Sequence, residues 1–153
     1  MRSLDVMVPP PAVAAVAAAL MWGIAFVAPL LQMPTALRLV ACAALFFVGL
    51  VFSVAGVASF RLARTTINPT KPEAASSLVT SGIYRITRNP MYVGASFGLI
   101  SWAVFLSSVW ALLGVLAFVL YIGRFQIAAE ERALSKLFGN EYTAYQARVR
   151  RWL

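Results

Sequence analysis

Apolar and charged positions alternate along this chain in blocks, leaving three uncharged stretches at residues 6–37, 39–60 and 89–123. A bilayer core about 30 Å thick is crossed by roughly 20 helical residues, so each stretch is long enough to span. The first predicts a helix over residues 11–30, opened by Pro9, Pro10 and Pro11, where a helix tolerates missing amide donors. Its length and weakly basic flank favour a permanent helix over a cleaved leader, with a signal anchor as the alternative. The second predicts a helix over 39–60. The third is too long for one helix and short for two full spans, with Ser107 and Ser108 near its middle, which predicts a tight hairpin of helices 91–106 and 109–137. The last of these is expected to leave the bilayer and stop at a Gly139-Asn140 cap. Beyond it, Tyr142, Tyr145, Val149 and Trp152 recur at near-helical spacing beside Arg148, Arg150 and Arg151, the pattern of an interfacial helix over 141–152 anchored by aromatics and anionic lipid. The expected fold is therefore all-α: a single-domain polytopic membrane bundle of about four transmembrane helices plus a cytoplasmic interfacial C-terminal helix.

Composition agrees with that pattern, since 61% of the 153 residues are hydrophobic and the mean hydropathy is +0.82. The net charge of +8 follows topology and forms no nucleic-acid patch. Arg61, Arg64, Lys71, Arg85 and Arg88 fall between the second and third helices, and Arg124, Arg132, Lys136, Arg148, Arg150 and Arg151 follow the fourth, with only Arg38 on the other side. The positive-inside rule then places both termini and the central loop in the cytoplasm. With a lone Cys42 and no disulfide pattern, the compact design suggests a bacterial inner membrane. The chain has no histidine, which gives metal catalysis little support and removes the usual general base near neutral pH.

The connection 61–90 is long for a membrane bundle, and loops of that length are commonly functional. Asn68-Pro69 and Lys71-Pro72 impose extended or turn conformations, while Leu78, Val79, Ile83, Tyr84 and Ile86 supply too many apolar groups for a disordered linker. An ordered loop folded back on the membrane face is expected. At its end Asn89 is placed to cap the third helix with Pro90 in the first turn, and the same helix end offers free amides to a carboxylate or phosphate. Gly94 and Gly98 form a G-x-x-x-G step suited to close helix packing. Tyr84 and Tyr92 suit interfacial anchoring or ligand contact. Glu130 and Glu131 suit either a solvated face paired with Arg132 and Lys136 or a site for a cationic or polyhydroxyl ligand, since Gln126 and Arg124 lie one and two turns back.

Three segments in this order, LVTSGIYRITRNPMYVG (78–94), EERAL (130–134) and LFGNEYTAYQARV (137–149), resemble the isoprenylcysteine carboxyl methyltransferase family within the wider group that includes phospholipid N-methyltransferases. The resemblance covers roughly the C-terminal half and implies S-adenosylmethionine as methyl donor, held between the loop and the base of the last two helices. It implies cofactor contacts at Ser77, Leu78, Val79, Tyr84, Asn89, Pro90, Met91, Tyr92 and Glu130. The family's substrate-orienting arginine falls near Gln126, with Arg124 the nearest basic residue, and Glu131 or Tyr92 would assist an amine acceptor. Asn89 stands where the prenylcysteine enzymes carry histidine, and it cannot titrate. The implied partner is a lipophilic small molecule or lipid entering from the bilayer, with methylation of a carboxylate, thiol or lipid amine. A nicotinamide-dependent enzyme resembling sterol reductases and a non-catalytic membrane scaffold are the alternatives. The G-x-x-x-G step and the small residues of the first helix also allow helix-mediated pairing.

Overall fold

The computed structural model describes residues 8–28, 30–64 and 76–153. Among these every regular element is helical: α1 (Pro10–Val27), α2 (Thr35–Leu62), a single 3-10 turn (Gly82–Arg85), α3 (Pro90–Phe105), α4 (Leu112–Tyr121), a π-helical turn (Ile122–Ile127) and α5 (Ala128–Arg148). The expected turns at Asn68-Pro69 and Lys71-Pro72 lie outside the described residues. Helices α1 and α2, and the continuous rod from α4 through α5, are long and apolar enough to cross a membrane, and α3 is a shorter apolar helix. At 1.5 Å per residue the 16 residues of α3 cover about 24 Å, less than a bilayer core.

Proline and turn chemistry set the starts. Pro10 and Pro90 each occupy the first turn of their helix, and Pro34 immediately precedes α2. Helix α2 therefore begins before Arg38, because a helix is ended by lost hydrogen bonds and not by one charged residue. The α3–α4 hairpin closes through Leu106 to Ala111, with Ser107 at φ 51° and its amide bonded to the Val104 carbonyl at 3.0 Å. At the far end α5 kinks at Gly139 (φ 49°, ψ −122°), a conformation open to glycine, and then continues to Arg148. Val149 is extended, so the final helix stops earlier than the aromatic spacing suggests.

Two cores hold these elements. One lies within the helices, where Met21, Leu99, Phe118, Ile122 and Ile127 pack together. Helices α2 and α3 approach closely where Gly49, Ser53 and Gly94 meet. The second lies at the basic end of the bundle and gathers Val79, Tyr84, Tyr142 and Tyr145, with Phe60, Leu134 and Phe138 around them. Tyr142 and Tyr145 are only 2% and 4% exposed, so the aromatic face expected to enter lipid is turned into protein. Helical spacing cannot distinguish these two environments, since both call for the same apolar stripe.

Candidate functional site

The two cores meet at the start of α3. Asn89 and Pro90 begin that helix at the basic end, and one turn in, Tyr92 is 8% exposed. Its hydroxyl donates to Glu130 Oε1 at 2.6 Å. The same oxygen accepts Nε2 of Gln126 at 2.7 Å. The π-helical turn 122–127 adds a residue to the helical repeat just ahead of α5, and Gln126 within it is 3% exposed. Such turns recur where a helix must redirect side chains at a site. The result is a carboxyl group held by two neutral donors at the mouth of an apolar bundle.

Tyr84 approaches from the loop. Gly82 takes φ 60° to begin the 3-10 turn, and the Tyr84 ring packs edge-on against Phe60 with centroids 5.4 Å apart. Its backbone carbonyl accepts the Tyr145 hydroxyl at 2.7 Å. Burial, followed by the neighbouring Tyr145 and then the Glu130 carboxylate, pushes the Tyr84 hydroxyl above the ordinary tyrosine range, so it stays neutral.

The other residues singled out from the sequence have different neighbours. Ser77 Oγ donates to the Ala63 carbonyl at the end of α2 at 3.3 Å, and Leu78 and Val79 belong to the second core. Pro90 and Met91 pack on Gly56 of α2. Asn89 makes no side-chain cap to α3; its amide Nδ2 donates instead to the Arg151 carbonyl at 2.8 Å. Glu131 is held by Arg88, whose Nη1 lies 3.0 Å from Oε1, and by the forked contact of Arg151 Nε (3.1 Å) and Nη2. Both oxygens of Glu131 are thus engaged by arginines. Arg124 does not join the cluster, being exposed with its guanidinium 6.0 Å from the Phe125 ring centroid. Sequence reasoning missed Arg151 and Thr87 because the Arg151 side chain finds Glu131 20 residues back and Thr87 Oγ1 finds the Arg151 carbonyl 64 residues on, spacings that no local pattern marks.

The sequence model of the phospholipid methyltransferase family matches residues 37–141, from the first turn of α2 to just beyond the Gly139 kink. The chain belongs to the phospholipid methyltransferase family. This phospholipid methyltransferase family member is also 46% identical over 63 residues to an uncharacterized protein of Haemophilus influenzae, a match covering 41% of this chain and all of that protein. No solved structure matches it. Family membership and three helices able to span a membrane together indicate an integral membrane protein of methyltransferase type.

Proposed function

We propose that the protein transfers a methyl group from S-adenosylmethionine to a lipophilic acceptor that reaches the site from the bilayer, at the cytoplasmic face of a bacterial inner membrane. The observation that carries this reading is the Tyr92–Glu130–Gln126 cluster. The donor set fits the cofactor. A carboxyl group whose hydrogen bonds come from neutral groups has no cation already paired with it, and neighbouring tyrosine rings favour a cation as well. Glu130, Tyr92 and Tyr84 would hold the cofactor, with Val79 and Met91 as apolar wall. When bound, it supplies a methyl group made electrophilic by the adjoining sulfonium.

The chain's own contribution is binding and orientation. Glu130 is fixed by Tyr92 from α3 and by Gln126 from the π-helical turn, so its position is set before a ligand arrives. The apolar helices above it exclude water, which favours reaction between opposite charges when the acceptor is a carboxylate or thiolate. No proton need then move, in keeping with a chain that has no histidine. A lipid amine would have to arrive unprotonated, with Glu131 or Tyr92 the nearby groups for assistance.

The test is calorimetric binding of S-adenosylhomocysteine to purified protein in lipid nanodiscs, with Glu130→Ala alongside, followed by transfer of labelled methyl from S-adenosylmethionine to a lipid extract. Saturable binding lost in the variant is expected. No binding by folded wild-type protein would overturn the reading.

A further inference from the structure

Beyond the family match at 37–141 and the end of α5, residues 149–153 form a short non-helical strap that meets the turn ahead of α3. Its backbone is bonded to the turn ahead of α3 at three points. The Arg88 amide donates to the Arg150 carbonyl at 3.0 Å, Thr87 Oγ1 to the Arg151 carbonyl at 3.2 Å and Asn89 Nδ2 to the same carbonyl at 2.8 Å. Thr87 is fully buried beneath this contact. The Arg151 guanidinium reaches the other way and grips the Glu131 carboxylate with two nitrogens. Trp152 then packs against the core that contains Tyr92.

One residue thus holds neighbours of both members of the Tyr92–Glu130 pair. Through its carbonyl Arg151 fixes Asn89, three residues before Tyr92. Through its side chain it fixes Glu131, adjacent to Glu130. The two members of that pair sit on different helices, α3 and α5, 38 positions apart. A hydrogen bond of 2.6 Å between two helices depends on how their ends are held, and the forked Arg151–Glu131 contact, beside the Arg88–Glu131 pair, is directional enough to help hold them.

We propose that Arg151 is a positioning residue and that the C-terminal strap is a brace that sets the spacing of Tyr92 and Glu130. The inference deepens the function proposed above and rests on it for its ligand. Arg150 offers an internal control: it is exposed, carries the same charge and contributes only its backbone carbonyl to the strap.

The experiment compares wild type, Arg151→Gln, Arg151→Lys and Arg150→Gln in nanodiscs by S-adenosylhomocysteine affinity and thermal midpoint. It also records the fluorine resonance of 3-fluorotyrosine placed at position 92, which needs no ligand. Arg151→Gln is expected to weaken binding roughly tenfold to a hundredfold and to shift the resonance, as displacement of a site group by about 1 Å does. Arg150→Gln is expected to leave both near wild type. Arg151→Lys, which keeps the charge but cannot form the fork, is expected to fall between, and it stands in if the glutamine variant does not fold. Equal behaviour of the Arg150 and Arg151 variants in both readouts would overturn the brace. If wild type binds no ligand while the resonance still moves with Arg151 alone, the brace stands and the methyltransferase reading fails.

Discussion

Gly94 provides the sharpest test of the helix packing that presents the site. A Cβ at this position would lie 2.2 Å from Ser53 Oγ, 2.6 Å from the Gly49 carbonyl oxygen and 3.1 Å from the Ser53 amide nitrogen. The serine hydroxyl can rotate away. The Gly49 carbonyl belongs to the backbone of α2 and can retreat only if α2 and α3 separate. Four residues on, Gly98 would place its Cβ with nothing within 4 Å. Each glycine-to-alanine change gains the same helix propensity, about 1 kcal/mol, so that contribution cancels when Gly94→Ala is compared with Gly98→Ala. What remains is overpacking at position 94 alone, about 1–3 kcal/mol, with the upper part of the range expected because the obstructing atom is backbone. Cys42 supplies the assay. It is the chain's single cysteine, half-buried on α2, and its Sγ lies 3.1 Å from Ser101 Oγ of α3, so opening of this interface exposes the thiol. Heating detergent-solubilised protein with a thiol-reactive fluorophore should show earlier labelling for Gly94→Ala than for Gly98→Ala. Coincident labelling curves would refute the argument.

Tyr92→Phe removes one donor to the Glu130 carboxylate, and loss of a charge-assisted bond worth about 1.5–3 kcal/mol should weaken S-adenosylhomocysteine binding by calorimetry. Glu131→Gln leaves the largely buried Arg88 without its anion and should lower unfolding stability by about 3–5 kcal/mol, part of which Arg88→Met in the same chain should restore. Gly139→Ala forces a side chain into a left-handed backbone conformation and should cost about 1–2 kcal/mol in a melting experiment while leaving ligand affinity unchanged. Arg124→Ala should leave affinity within about twofold of wild type, since its side chain is exposed and its guanidinium lies near the Phe125 ring.

The apolar helices were readable in advance because a bilayer imposes a minimum length and forbids unpaired backbone, constraints that act on consecutive residues. The family resemblance named Tyr92 and Glu130 as separate cofactor contacts without pairing them, and no local spacing would have revealed their hydrogen bond, because the two are 38 positions apart. The π-helical turn left no trace in the pattern, since residues 122–127 show an apolar and charged mixture compatible with an ordinary helix end. Asn89 was misread for a physical reason: a helix start and a long-range anchor ask for the same short polar side chain, and only the Arg151 carbonyl distinguishes them. The arginines after α5 were indistinguishable by charge, yet Arg151 reaches Glu131 while Arg150 is exposed.

The adjacent acids at 130 and 131 show how the fold separates two uses of the same side chain. Successive helical residues point about 100° apart, so a pair of neighbouring carboxylates cannot share one set of partners. Glu131 faces the strap and is held by Arg88 and Arg151, two cations for one anion, which makes it part of the scaffold. Glu130 faces α3 and takes its hydrogen bonds from Tyr92 and Gln126, which orient the group without pairing it to a cation. On the proposed function, this division is what the site requires: one carboxylate fixes the elements, and the other meets a cationic ligand with its charge intact. Exchanging the two roles by mutation would take more than moving an arginine, because the strap that selects Glu131 is built from the backbone of residues 150 and 151 as well as from a side chain.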